Sequence, residues 1–235
     1  AAAGDLELED GGGEGVAAVG GGERELASSM QSKEHWERVY STKPSNSVSW
    51  YQEHAEQSLR LIQQTGVAHT GSIIDVGGGA SRLVDDLLLD GYRDLTVLDL
   101  SAAALEAAQA RLGERAAAVR WIEGDVTTVA LPEHAYDVWH DRAVFHFLTD
   151  EADRRAYVAQ VLRFVKPHGH IIVATFAEDG PTQCSGLPVM RYSPTELHGQ
   201  FGPSFSLLKQ EREAHHTPFG TTQKFIYCYY RVEGP

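Results

Sequence analysis

A glycine run flanked by acids carries the clearest chemistry in this chain. Ile73-Ile74-Asp75-Val76-Gly77-Gly78-Gly79 reads as a buried strand breaking into a glycine turn. Asp99 closes a second apolar stretch, Leu95-Thr96-Val97-Leu98, about twenty residues further on. Glycines at such a turn let backbone approach a ligand closely, and the helix that follows offers unpaired N–H groups. An acid at the tip of the second strand is placed to accept from two ribose hydroxyls. A dinucleotide site needs a third glycine in GxGxxG spacing, whereas this run continues Ala80-Ser81-Arg82. Asp75, standing before the glycines, would repel a pyrophosphate and suits an ammonium group. The pattern fits a nucleoside carrying an amino acid rather than two phosphates.

Other residues have chemistry with a plainer reading beside it. Asp125 in Gly124-Asp125-Val126 either meets the ligand or caps a turn. Arg142, after Asp141, either faces the site or pairs with a surface acid. His146 in Phe145-His146-Phe147 is the first candidate for a base that takes a proton from a nucleophile, with Asp141 or His216 behind it, and is nearly as well read as a packed histidine. Cys184 lies in a loop rich in Gly, Pro and polar residues, the kind that covers a substrate; it is a ligand, a redox thiol or a small apolar side chain. His215 and His216 with Cys184 make only a weak metal signal, so no metal is expected. Cys228, in a Tyr-rich alternating stretch, reads as packing.

The elements that must position these residues alternate between strand and helix. SKEHWERVYS, with Ser32 as a plausible cap, and HAEQSLRLIQQTG, closed by Gly66, read as helices. GSIIDV, LTVLDLS, AVRWIEGD, YDVWHDRA and HIIVATFA read as strands. Between them SRLVDDLLLDG, SAAALEAAQARLG (capped by Ser101, stopped by Gly113) and EADRRAYVAQVLRFVKPHG (ended by Pro167 and Gly169) read as helices. This is the order of a mostly parallel sheet covered on both faces. FSLLKQEREAHHTP and QKFIYCYYRV alternate with period two and predict an antiparallel pair at the sheet edge. The length of 235 residues suits one full domain. Residues 1–29 hold eight glycines and no aromatic, so they are expected to be a disordered leader or added segment, with Met30 a natural start.

Charge and cysteine usage narrow the classes further. The formal net charge is −13, of which residues 1–29 carry −6. An acidic body without a Lys/Arg run argues against nucleic-acid binding. Two cysteines make no disulfide framework, and no apolar run approaches the roughly 20 residues of a membrane span. A cytoplasmic protein with no membrane attachment is expected.

The set Asp75-x-Gly77-x-Gly79, Asp99, Gly124-Asp125-Val126 and Asp141 resembles that of the class I S-adenosylmethionine-dependent methyltransferases, over roughly residues 70–175. The resemblance implies a Rossmann-like, doubly wound seven-stranded sheet, mostly parallel with an antiparallel last strand. It implies that Asp75, Gly77, Gly78 and Gly79 hold the methionine part, that Asp99 with Leu100 holds the ribose, and that Asp125 and Val126 meet the adenine. It places Trp139 to Arg142 at the end of the fourth strand, facing the sulfonium and the acceptor. Lys166-Pro167-His168-Gly169-His170 matches the family's Pro-Gly-Gly link with His168 in place of one glycine. His35 to Tyr40 with Val48-Ser49-Trp50-Tyr51 is similar to a branch that includes small protein lysine methyltransferases, in which such aromatic residues cover the cofactor. That branch carries Asp-Lys-Gly where this chain has Asp141-Arg142-Ala143, and no Asn/Asp-Pro-Pro-Tyr tetrad occurs.

The expectation is a single domain from residue 30 to 235, with 30–66 a helical lid, that methylates a small molecule. Its catalytic candidates are His146 and Asp141, and Cys184 and His216 are candidates for the acceptor side. The alternatives are a protein lysine methyltransferase, a nucleoside-binding regulator without catalysis, and an NAD-dependent dehydrogenase.

Overall fold

The computed structural model describes residues 32–234. The leader 1–29 and Met30 lie outside the described residues.

The chain opens with helix α1 (residues 32–42) and α2 (Glu56–Gln64), and Gly66 takes φ +72° directly after α2. Five strands with three helices between them follow: β1 (Ser72–Val76), α3 (Leu83–Asp90), β2 (Asp94–Asp99), α4 (Ala102–Leu112), β3 (Val119–Glu123), β4 (Tyr136–Arg142), α5 (Glu151–Phe164) and β5 (Val165–Phe176). The capping chemistry sets the limits. Ser101 Oγ accepts from Ala104 N at 3.2 Å to start α4, Asp150 starts α5 in the same way, and Gly91 ends α3 in the left-handed region. A short hairpin, β6 (Gln183–Cys184) with β7 (Leu187–Pro188), precedes α6 (Pro194–Phe201). The long strands β8 (Phe205–His216) and β9 (Thr222–Val232) close the chain.

The sheet runs β3-β2-β1-β4-β5-β9-β8. β1 to β5 pair in parallel, and β9 inserts antiparallel between β5 and β8. This is the expected seven-stranded sheet with an antiparallel last strand. β8 is therefore the true edge, while β9 is buried along most of its length.

Strand alternation divides the core. Ile74, Val76 and Trp139 pack with α5 and α6 on one face; Ile73 and Val138 pack with α2, α3 and α4 on the other. The same alternation decides the site. In β4, His140 faces the α2 side with Val138, whereas Asp141 faces the α5 side with Trp139.

Two expectations need correcting. Helix α5 stops at Phe164, and Lys166 to Gly169 do not form a link before the strand but a bulge inside β5. The β4 pairing jumps from Tyr136↔Val165 to Val138↔His170 across it, with His168 at φ +63°. Proline lacks an N–H for the ladder and biases Lys166 to extended backbone, which suits a bulge. The stretch Asp179 to Pro188, read as a covering loop, contains the β6–β7 hairpin, and it is followed by α6, which the sequence reading did not assign. That helix is signalled by a capping box between Ser193 and Glu196.

Candidate active site

The carboxyl ends of β1, β2, β3 and β4 open onto one cavity of about 540 Å³, roofed by α1 and the segment that joins it to α2. Of the residues singled out from sequence, Asp75, Gly77, Gly78, Asp99, Leu100, Asp125, Val126, Arg142, Trp50 and Tyr51 line it.

At the β1 end, Asp75 is buried. Its Oδ1 accepts from His140 Nδ1 at 2.7 Å, while its Oδ2 has no partner among the described residues. Gly77 stands at φ +68°, and a Cβ there would fall 2.0 Å from Val144 Cγ2. A Cβ on Gly78 would lie 2.2 Å from Asp75 Oδ2, so the glycine keeps the space beside that oxygen open. Gly79 does not line the cavity. Its N–H donates to Asp99 Oδ2 at 3.0 Å, and a Cβ would strike Ala104 and that same carboxylate. It acts through Asp99.

Asp99 also accepts from Ser101 N at 2.9 Å. Burial pushes its carboxyl up to about 6, against the pull of these two N–H groups, and the nearby Asp75 adds to the rise. Asp125 folds the turn after β3, where its Oδ1 accepts from Thr127 N and Oγ1 at 2.8 and 2.7 Å.

Arg142 ends β4 on the α2 side and ties the roof to the sheet. Its Nε donates to Tyr227 Oη (2.9 Å), one terminal nitrogen to Glu213 Oε2 (3.0 Å) and the other to the Trp50 carbonyl (3.2 Å). The guanidinium also sits 4.2 Å from the centre of the Phe225 ring. Gln52 donates to Glu213 at 2.7 Å, and His215 Nε2 donates to the Ser49 carbonyl at 2.8 Å. Glu37 of α1 accepts from Ala102 and Ala103 at the start of α4, where a helix N-terminus favours an anion. The roof is thus pinned at both ends, with Tyr51 hydrogen-bonded to Arg82 between them.

Besides Gly79, four sequence candidates are not at the cavity. Asp141 faces α5: Oδ1 accepts from Val144 N (2.9 Å), and Oδ2 from Phe145 N (3.0 Å) and Tyr157 Oη (2.7 Å). Burial raises its carboxyl to about 6, and its oxygens are consumed in shaping the turn after β4. It is buried and does not line the cavity. His146 is fully buried among Phe147, Phe176 and Phe225, and its Nδ1 accepts from Phe176 N. Burial, then the Arg142 charge, push its imidazole down to about 3, which leaves a poor base. Cys184 is buried in β6, where desolvation raises the thiol to about 12, against a hydrogen bond with Ser49; its hairpin partners Leu187 and Pro188 reach the cavity instead. His216 lines a separate open groove with His54 and His215. Among the described residues no group of three or more His, Cys, Asp or Glu could hold a metal, and no helix is long and apolar enough to cross a membrane.

Sequence reasoning did not single out Ser58 or Glu213, and it named His140 only within the run Trp139 to Arg142; Trp36, read as part of the aromatic cover, does line the cavity. The available signal for His140 was a polar residue next to Val138 and Trp139 in the buried part of a central strand.

Residues 73–169 match a sequence family described as a methyltransferase domain. A Danio rerio eEF1A lysine and N-terminal methyltransferase is 24% identical over 156 residues, 65% of this chain and 22% of that protein. An uncharacterised methyltransferase of Mycobacterium bovis is 30% identical over 118 residues, half of this chain and 56% of that protein. This chain spans about a fifth of the length of the eEF1A lysine and N-terminal methyltransferases it matches. A crystal structure of the Burkholderia thailandensis 1,6-didemethyltoxoflavin-N1-methyltransferase, with bound 1,6-didemethyltoxoflavin and S-adenosylhomocysteine, superposes with a TM-score of 0.65 at 21% identity. It covers 94% of this chain and 93% of that one. At that identity the likeness establishes the fold.

Proposed function

We propose that this chain, whose residues 73–169 match a methyltransferase domain and whose fold is that of the class I S-adenosylmethionine-dependent methyltransferases, is such an enzyme and methylates a small-molecule acceptor. The observation that carries the cofactor reading is Asp75 Oδ2, a buried carboxylate oxygen on the cavity wall with no partner among the described residues. Such an oxygen calls for a cation or donor from a ligand. The residues fit the cofactor. Asp75 and the Gly77-Gly78 backbone would hold its amino-acid part, Asp99 with Leu100 its ribose, and Asp125 and Val126 its adenine, under the cover of Trp50 and Tyr51. When bound, it supplies an electrophilic methyl group that needs no covalent enzyme intermediate.

The chain's own work is then positioning and exclusion of water. Trp36, Tyr40, Trp50 and Phe147 build the far wall of the cavity. Trp36 meets Trp50 and Phe147 nearly edge-on, with centroids 5.5 and 5.2 Å apart, and Tyr40 lies 6.0 Å away. Rings this close touch one another. They form a continuous apolar wall rather than a cage with a gap for an ammonium ion, and this favours a flat, uncharged acceptor over a lysine side chain. His146 is out of reach, and both nitrogens of His140 are engaged. An acceptor that brings its own lone pair, such as a ring nitrogen or neutral amine, suits that site.

The second reading is a protein lysine methyltransferase, favoured by the match to the eEF1A enzymes. Transfer of labelled methyl from S-adenosylmethionine tests the two readings against each other. Aromatic amines and ring-nitrogen compounds are expected to become labelled while lysine peptides and eEF1A do not; label in the protein alone would overturn the small-molecule reading. A cytoplasmic setting remains part of the proposal, supported by two buried, unpaired cysteines. The acidic body favours small-molecule or protein acceptors over nucleic acid.

A further inference from the structure

Behind the cavity wall runs a chain of buried hydrogen bonds. Asp75 of β1 and His140 of β4 are register partners in adjacent parallel strands, both on the face covered by α2. Asp75 Oδ1 lies 2.7 Å from His140 Nδ1, and His140 Nε2 lies 2.8 Å from Ser58 Oγ of α2. A carboxylate only accepts, so Nδ1 carries the ring proton, and the Nε2 of a neutral ring accepts from the Ser58 hydroxyl. Ser58 Oγ is 3.5 Å from Tyr227 Oη, which binds Arg142 and Glu213 and anchors the chain in the sheet.

Serine, histidine and aspartate in this order have the connectivity of a hydrolytic triad. Access reverses the roles. Ser58 is 1% exposed and does not line the cavity, so no substrate carbonyl reaches its hydroxyl. Asp75 does line it, and the carboxylate is the working end. One of its oxygens is fixed by His140 and the other is unpartnered toward the cavity. Without the imidazole both oxygens would be buried and orphaned, and the carboxylate would rotate toward whatever donor it found.

We propose that His140, seated by Ser58, is a positioning residue that fixes the Asp75 carboxylate so that Oδ2 meets the ammonium group of the cofactor's amino-acid part. The inference rests on the cofactor reading above and deepens it.

Two ligands separate this role from ordinary packing. S-adenosylhomocysteine carries the ammonium group, whereas 5′-methylthioadenosine keeps the adenosine and thioether but lacks the amino acid. Calorimetric titration of both into wild type, His140→Phe and His140→Asn gives the answer without reference to turnover. In His140→Phe, S-adenosylhomocysteine is expected to weaken by about 10- to 100-fold, the span of one charge-assisted hydrogen bond, with methylthioadenosine little changed. Its retained binding also shows that the variant is folded. His140→Asn keeps a side-chain N–H for Asp75 and is expected to recover part of the loss. Ser58→Ala, the milder variant if His140→Phe fails to fold, should show a smaller loss of the same selectivity. Equal losses for both ligands, or no loss for S-adenosylhomocysteine, would overturn the role of His140. If wild type binds neither ligand, the cofactor reading itself fails and the inference falls with it.

Discussion

The Gly79 N–H donates to Asp99 Oδ2 at 3.0 Å, joining the glycine turn after β1 to the tip of β2. With Ser101 N on the other oxygen, the carboxylate is locked from both sides while still lining the cavity. The two acids proposed to meet the ligand, Asp75 and Asp99, are therefore oriented by backbone and by neighbouring strands.

Removal of that carboxylate should be felt in binding. Asp99→Ala is expected to weaken S-adenosylhomocysteine at least about tenfold, as for loss of hydrogen bonds to a charged group. With the Asp99 carboxyl near 6, the ionised acceptor predominates only above that pH. Wild-type affinity should fall as the pH drops below 6, and a calorimetric series from pH 5 to 8 reads this directly. Affinity flat across that range would remove Asp99 from the site.

Gly78→Ala tests the space beside Asp75. The new Cβ would come within 2.2 Å of Oδ2, so the carboxylate must move. Binding of S-adenosylhomocysteine should weaken by more than that of methylthioadenosine. Unchanged affinity for both would mean that Oδ2 does not meet the ligand.

Much of this architecture was legible in the residues, and the part that was not has physical reasons. The apolar runs at Ile73 and Leu95 are buried on both faces, so their strands, and the acids that end them, stood out. Alternation within β4 was harder to use. Nothing local says which face meets α2, so Asp141 and Arg142 looked equivalent, although one shapes a turn toward α5 and the other reaches the cavity. His146 read as a base because its position after a strand end is visible, whereas its burial among three phenylalanines depends on β5 and β9. Pairing of His140 with Ser58 spans 82 residues and needed the packed helix.

His146 offers a pH test that is independent of ligand. A pKa of about 3 against the usual 6.5 means that the folded state holds the neutral ring. Its contribution to stability is present above 6.5 and is lost as the pH falls from 6.5 toward 3, by up to about 1.4 kcal/mol per pH unit. His146→Asn keeps an oxygen where Nδ1 accepts and has nothing to titrate. Urea midpoints from pH 7 to 4 should therefore fall more steeply in wild type than in the variant. Parallel curves would contradict the buried, neutral assignment.

The Arg142–Glu213 pair should hold the roof. Both side chains are largely buried, so Arg142→Met leaves the Glu213 carboxylate with Gln52 and Tyr227 but without its counter-charge. The expected loss is about 3–5 kcal/mol, with a fall in Tm on the order of 10 °C. Arg142→Met combined with Glu213→Leu should recover much of it. A single variant as stable as wild type, by thermal melting, would show that the pair carries no such weight.

The central claim is that this cavity binds the adenosyl cofactor of a methyltransferase. Calorimetric titration of wild-type protein with S-adenosylhomocysteine, and with NAD as the control, tests it most directly. The account predicts one site per chain for S-adenosylhomocysteine and no measurable heat with NAD. Binding of NAD instead would point to a dehydrogenase, and binding of neither would contradict the assignment of Asp75 and Asp99.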